Sequence, residues 1–318
     1  RLSFYLKLTS DEQPNVVGVG ECATLPNLSC DAMPPNEYER KLRTFCDEYE
    51  CTGVIDYEAM RTYPSMLFGL ETAVAQFNAK GSLNFFDTPF GRGEEGIPIN
   101  GLVWMGTFEE MFERLEAKLK AGFRCIKIKI GAIDFDRELQ LIRHIRSTFS
   151  RNDVELRVDA NGGFTSKEAL SRMEALVQYD IHSIEQPIKQ HQWAEMARLC
   201  AATPLPIGLD EELIGLNERQ KKIELLDTIR PQYIVLKPSL HGGMAGTEEW
   251  IQLARERNIG SWITSALESN VGLNAIAQLT ASIYGTNIRH AQGLGTGQLF
   301  ADSGTLKQEN SNDFRAIS

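Results

Sequence analysis

Five short apolar segments of this chain end on ionisable residues whose types could act together on one small molecule. They are 125–131 (CIKIKIG), 156–161 (LRVDAN), 183–187 (SIEQP), 207–211 (IGLDE) and 234–238 (IVLKP). Asp159, Glu185 and Asp210 supply only oxygen donors. Carboxylates gathered in one place repel unless a cation intervenes, and all-oxygen ligation suits Mg²⁺. Glu211 competes with Asp210 as the third ligand, and spacing leaves both open. Lys127 and Lys129 are two apart and share one face of a strand. Each disfavours the charge of the other, and burial adds to the effect, so both influences lower a lysine pKa. A lysine nearer neutrality can act as a proton-transfer base. Lys237 ends a later segment and faces Lys129 across the carboxylates if the strands follow in order. Two lysines flanking a cation suit removal of a proton beside a carboxylate. The cation and the opposite ammonium would stabilise the enediolate that forms.

The elements that must position these residues follow from their intervals. From Lys129 through Asp159, Glu185 and Asp210 to Lys237 the steps are 30, 26, 25 and 27 residues. Each is roughly one strand–loop–helix–loop unit of a (β/α)₈ barrel, whose active site lies at the C-terminal strand ends. Residues 99–104 read as a strand, and Thr107 with Glu110 forms a capping box. Phe108, Met111, Phe112, Leu115 and Leu119 then give one apolar helical face, and Gly122 stops the helix. Thr165 and Glu168 repeat the capping device ahead of Leu170, Met173, Leu176 and Val177. A doubly wound open sheet is the alternative, but it would not gather five successive strand ends around one point.

Residues 1–96 have a different pattern. Strands over 2–8 and 15–21 precede a Gly/Pro/Ser/Asn-rich loop over 23–35 and helices over 37–49 and 64–80. That order implies a small α+β domain, with a linker near 91–96 and the barrel from 97 to 318. The stretch 18–23 (GVGECA) fits a dinucleotide-binding pattern, but no helix follows it, so a lid loop over about 18–35 is the better reading. Glycines 293–297 fit a phosphate loop poorly, because no Lys or Arg follows closely. The polar run 308–313 suggests a fraying tail.

A net charge of −10 argues against nucleic acid and acidic membrane surfaces as partners. No apolar run approaches the ~18 residues of a membrane span, and no secretory signal opens the chain. The chain starts directly in an apparent strand without Met, which reads as a trimmed start. The six cysteines lack any Cys-x-x-Cys, and Cys125 and Cys200 sit in apolar contexts, as expected of reduced thiols in a cytoplasmic protein. The five histidines lack zinc-helix spacing.

Taken together, KIKIG, RVDANGGF, IEQP, GLDEEL and VLKPS resemble the enolase superfamily, in its muconate lactonizing subgroup, over nearly the whole chain. The resemblance implies a modified TIM barrel, (β/α)₇β, under an N-terminal α+β capping domain, with the C-terminal tail packing back on the cap. It makes Lys129 the proton-transferring base, Lys127 its partner and Lys237 the opposite lysine. It also makes Asp159, Glu185 and Asp210 the ligands of Mg²⁺, for which Mn²⁺ can substitute, and Asn161 a supporting polar residue. Within the subgroup, 18–26 (GVGECATLP), 265–269 (SALES) and 293–300 (GLGTGQLF) point to a dehydratase branch. That branch converts 2-succinyl-6-hydroxy-2,4-cyclohexadiene-1-carboxylate to o-succinylbenzoate in menaquinone synthesis. Arg157, Ser265 and amides around Gly293 become contacts to this small carboxylate substrate, or, for Arg157, to neighbouring polar groups. N-acylamino acid racemization and muconate cycloisomerization are the neighbouring alternatives, and a non-catalytic binding barrel is the rival from another class. Dipeptide epimerases usually carry an Asp-x-Asp on the eighth strand, which 293–300 lacks.

Overall fold

The computed structural model describes residues 2–286 and 288–296 and the backbone of 313–314. The chain begins with an antiparallel hairpin of β1 (Ser3–Ser10) and β2 (Gln13–Ala23), followed by α1 (Pro35–Thr52) and α2 (Pro64–Asn78). Proline occupies the first turn of both helices, where its missing N–H costs nothing. The glycines of 18–23 let β2 lie directly on α2. A Cβ at Gly18 would stand 1.9 Å from the Ala73 carbonyl oxygen, and one at Gly20 would stand 1.8 Å from that of Gly69. Close helix–strand packing, rather than a nucleotide, explains these two residues.

Strand and helix then alternate. After β3 (Ile97–Pro98) come β4 (Gly101–Val103), α3 (Phe108–Lys120), β5 (Cys125–Lys129) and α4 (Phe135–Thr148). Next are β6 (Glu155–Asp159), α5 (Ala169–Val177), β7 (Ser183–Glu185), α6 (Trp193–Ala202) and β8 (Ile207–Leu209). A 3-10 turn (Glu211–Leu213) leads to α7 (Arg219–Ile229), β9 (Tyr233–Leu236), α8 (Gly243–Arg255), β10 (Gly260–Ile263) and α9 (Asn270–Tyr284). Strands β4 to β10 form one parallel sheet in sequential order. Gln292 and Gly293 complete the ring. Gln292 bridges Ile99 on one side and Gly293 bridges Thr264 on the other, both in parallel sense. Seven full strands and a two-residue eighth make a modified TIM barrel.

Both capping boxes are present. Thr107 and Glu110 exchange bonds at the start of α3, and Thr165 and Glu168 do so in the turn just before α5. Ile126, Ile128 and Ile130 are buried between sheet and helices, which leaves the alternate positions of β5 facing the ring interior. Cys125 and Cys200 are free and buried. No helix among the described residues is long and apolar enough to cross a membrane. Of the tail, Asp313–Phe314 forms β11, which pairs antiparallel with β3 at the entry to the barrel. The rest of the tail, with its expected fraying and return to the cap, lies outside the described residues, as does 297–300 of the 293–300 motif.

Candidate active site

The strand registers bring the predicted residues together. Lys129 on β5 pairs in register with Asp159 on β6, which pairs with Glu185 on β7. Asp210 follows the end of β8 and Lys237 the end of β9, so both extend from the same rim. Lys129 Nζ donates to Asp159 Oδ2 at 2.6 Å and to Asn161 Oδ1 at 2.7 Å. Lys127 starts one step deeper and reaches forward, to 2.8 Å from Asp159 Oδ2 and 2.6 Å from Glu185 Oε1. Lys237 is ion-paired with Asp210 on the other side of the group. Asn161 Nδ2 donates to Glu211 Oε1 at 2.8 Å and so ties the ends of β6 and β8 together.

Asp159, Glu185 and Asp210 are almost wholly buried and Glu211 is half-buried, and their titration reflects their neighbours. Burial raises Asp159, but the ammonium groups of Lys127 and Lys129 hold it well below the usual carboxylate range. Asp210 is likewise held low by Lys237 against the effect of burial. Glu185 is pushed well up by burial and by the charge of Asp159, and Glu211 is raised by burial and by Asp210. The expected mutual lowering of the lysines is overturned for Lys127. Burial does pull it down, yet Asp159, Glu185 and Asp210 outweigh burial and raise it, and Lys237 is raised in the same way. Carboxylate attraction within a few ångströms exceeds the repulsion between two ammonium groups.

Whether these residues fit a divalent cation is a question of donors and charge. Four acids, Asp159, Glu185, Asp210 and Glu211, face three ammonium groups. One further oxygen, Glu211 Oε2, is buried with no hydrogen-bond partner. An excess of hard oxygen donors on neighbouring strand ends fits Mg²⁺ chemistry. Among the described residues no three acid, His or Cys side chains are arranged as a finished cation cage, because the lysines hold the acid oxygens.

Lys127, Lys129 and Lys237 open onto a cavity of about 160 Å³ at this rim. Asn161, Ser265 and Gly293 also line it, whereas Arg157 does not. Arg157 is two residues from Asp159 and shares its strand face, but its guanidinium turns toward the opposite end of the barrel. There it pairs with Glu155 at 2.6 Å, donates to the Ala291 carbonyl at 2.9 Å and lies 4.2 Å from the Trp262 ring. The substrate-contact expectation for Arg157 is therefore corrected, and its partners are neighbouring polar groups. The Gly293 N–H is taken by the Ile263 carbonyl at 2.8 Å and is not free for an anion. What this glycine offers is space, since a Cβ there would lie 2.1 Å from Thr264 Oγ1. Ser265 Oγ is hydrogen-bonded to Thr296 Oγ1 at the cavity wall.

Sequence reasoning missed several residues here. Asn100, Leu102 and Trp104 alternate on and around β4 and all line the cavity, with Lys129 Nζ 5.6 Å from the Trp104 ring. Their period of two within 99–104 was the available signal. His241 is wholly buried and accepts the Lys237 N–H at 2.8 Å through Nδ1. Burial drives its pKa down to about 3, so it stays neutral as an acceptor. The loop of the lid reading starts later than expected, because β2 continues to Ala23. Leu25 and Leu28 line the cavity, and the Asp31 carboxylate anchors the loop by accepting from Ser65 N at 2.8 Å and Ser65 Oγ at 2.6 Å.

Comparison with known proteins agrees with this geometry. Residues 110–300 match the family described as Enolase C-terminal domain-like. An o-succinylbenzoate synthase of Desulfotalea psychrophila is 47% identical over 317 residues, covering 90% of this chain and 84% of the relative. The crystal structure of MenC from Desulfotalea psychrophila superposes with a TM-score of 0.79 at 45% identity, covering 94% of this chain and 90% of that one. A substrate-liganded L-Ala-D/L-Glu epimerase from Bacillus subtilis shares the fold, with a TM-score of 0.78 at 23% identity over 97% of this chain and 87% of the other. Strand ends, rim chemistry and similarity over nearly the full length agree, and the chain belongs to the Enolase C-terminal domain-like family, within the enolase superfamily.

Proposed function

We propose that this protein dehydrates 2-succinyl-6-hydroxy-2,4-cyclohexadiene-1-carboxylate to o-succinylbenzoate, a cytoplasmic step of menaquinone synthesis. The observation that carries this reading is the pair Lys129 and Lys237, which line one cavity while ion-paired to the buried Asp159 and Asp210 respectively. Similarity to an o-succinylbenzoate synthase over 90% of the chain selects this substrate among the superfamily's reactions. Lys129 first gives the proton of its ammonium group to solvent, and the neutral amine then takes the proton on the carbon beside the substrate carboxylate. The electron pair of that C–H bond forms the ring double bond as the hydroxyl leaves. Lys129, now an ammonium, returns the proton to the departing hydroxyl, so that one water is released and the base is regenerated. Lys237 stays protonated against the ring and stabilises the negative charge that develops. Ser265 and Thr296 offer hydroxyls to the succinyl carboxylate.

Asp159, Glu185 and Asp210 would hold a divalent cation, Mg²⁺ with Mn²⁺ as substitute, and its chemistry would be to neutralise the substrate carboxylate. A base alone contributes only ~10²–10⁴-fold, so the fixed charges of the site must supply the rest. Purified protein with Mg²⁺ and substrate should yield the aromatic product, seen by absorbance and by loss of one water in the mass spectrum. Chelation should abolish the conversion, and added Mg²⁺ should restore it. Failure to dehydrate with Mg²⁺ present would overturn the reading. One observation favours a second activity on the same residues. β5 and β9 are separated by three strands in the sheet order, which would set Lys129 and Lys237 on opposite faces of a bound carbon. That arrangement suits racemization of an N-acylamino acid, which the same preparation can be assayed for directly.

A further inference from the structure

The side chain of Gln186 is wholly buried and outside the cavity, yet it joins the strand ends that carry the acids. It follows Glu185 at the end of β7, with a φ of 40°, a left-handed conformation uncommon outside glycine. Its own backbone bonds across both neighbours, since its N–H donates to the Gly208 carbonyl at 2.9 Å and its carbonyl accepts from Gly162 N at 2.7 Å. The Oε1 atom then accepts two amides from the next strand's exit, Asp210 N at 3.2 Å and Glu212 N at 3.2 Å. On the other side of the carboxamide, Nε2 donates to the Ile188 carbonyl at 2.9 Å and to Glu212 Oε2 at 3.3 Å. Glu212 returns the clasp, its Oε1 accepting from His191 N at 2.7 Å. The carboxamide therefore meets two donors with its oxygen and two acceptors with its nitrogen, which no charged or apolar side chain of similar length can do.

We propose that Gln186 is a positioning residue that fixes Asp210 relative to Glu185 and thereby sets the cation affinity of the site. The inference rests on the metal reading given above. Asp210 leaves β8 with φ −124° and ψ −81°, outside strand and helix geometry, and that turn is held by the bond from its N–H to Gln186 together with that from Leu213 N to its carbonyl at 3.0 Å. Partners that orient metal ligands typically change affinity by about 10–100-fold when removed. Gln186→Met keeps the length and loses all four bonds, and Mn²⁺ binding followed by the electron paramagnetic resonance signal of the free ion is the readout, without any turnover. The expected result is a Kd for Mn²⁺ raised about 10-fold or more in a folded variant, with activity recovered at high metal. A folded Gln186→Met that binds Mn²⁺ as tightly as wild type overturns the assignment, even if its Tm has dropped, because a merely structural role predicts that pattern. If Gln186→Met does not fold, Glu212→Gln decides the matter. It sets an amide against Nε2, frees the clasp from one side, and should weaken Mn²⁺ in the same direction, whereas unchanged binding rejects the proposal. Wild-type protein that binds no Mn²⁺ removes the metal reading itself and this inference with it.

Discussion

At the scale of single residues, the site is an exchange of partners between acids and lysines. Lys129 and Lys237 each hold an acid, and the mechanism proposed above has each turn to substrate during turnover. Lys129→Ala and Lys237→Ala should each lower kcat by at least ~10²–10⁴-fold while circular dichroism and Mn²⁺ binding persist, and full activity in either would return the protein to the class of binding barrels. Arg157 supports the opposite expectation. Arg157→Ala should leave KM of the folded enzyme near wild type but lower stability by about 2–3 kcal/mol, below the range for a fully buried pair because Glu155 is one-third exposed. Denaturant titration and substrate kinetics on the same preparation separate the two. The residue types of the site were legible because each acid or lysine ends an apolar run. The direction of Arg157 was not, since a strand fixes the face of a side chain but not which end of the barrel a long side chain bends toward. The raised Lys127 was also hidden, because it depends on Asp159 and Glu185 arriving from other strands.

At the scale of elements, the even spacing of strand ends was the strongest signal, and the sheet order follows it without a crossover. The eighth strand was harder to see because only Gln292 and Gly293 take part in pairing among the described residues. Glycines of 18–23 were readable as a motif but not as a helix-packing face until α2 was placed beside them. The loop after β2 carries a functional consequence. Its Leu25 and Leu28 help close a cavity of about 160 Å³, below the ~300 Å³ at which ligand pockets usually begin. We propose that this loop shifts to admit a substrate with two carboxylates and a ring. Leu25→Gly should raise KM several-fold with little change in Tm, and unaltered affinity and turnover would end the lid interpretation.

At the scale of the whole molecule, two acids of the N-terminal elements dock on the starts of two barrel helices. Glu21 accepts from Ser269 N, Ser269 Oγ and Gly272 N at the start of α9, at 2.6–3.0 Å. Glu71 of α2 accepts from Met244 N at 2.5 Å and Ala245 N at 3.0 Å at the start of α8. Burial pushes Glu71 up to about 8 against these two amides, with Glu248 adding to the rise. Its folded pKa lies above the ordinary 4.5, so between those values the folded chain binds more protons than the unfolded one. The contribution of Glu71 is then fully present below about pH 4.5 and is lost as pH rises through about 8. The Tm of wild type relative to Glu71→Gln should fall steadily from pH 5 to 8.5, and a difference that does not vary with pH would remove Glu71 as its source. None of this docking was legible in the sequence, because it joins positions 173 and 248 residues apart. The two-residue closure at Gln292 and Gly293 has a consequence of its own. A cylinder whose last stave is so short is weakest along that joint, and local breathing should start there while β5 and β6 stay shut. Because Gly293 also borders the reaction chamber, a bound product would brace the joint, and its amide deuterium uptake should slow on ligand addition more than anywhere else on the barrel wall.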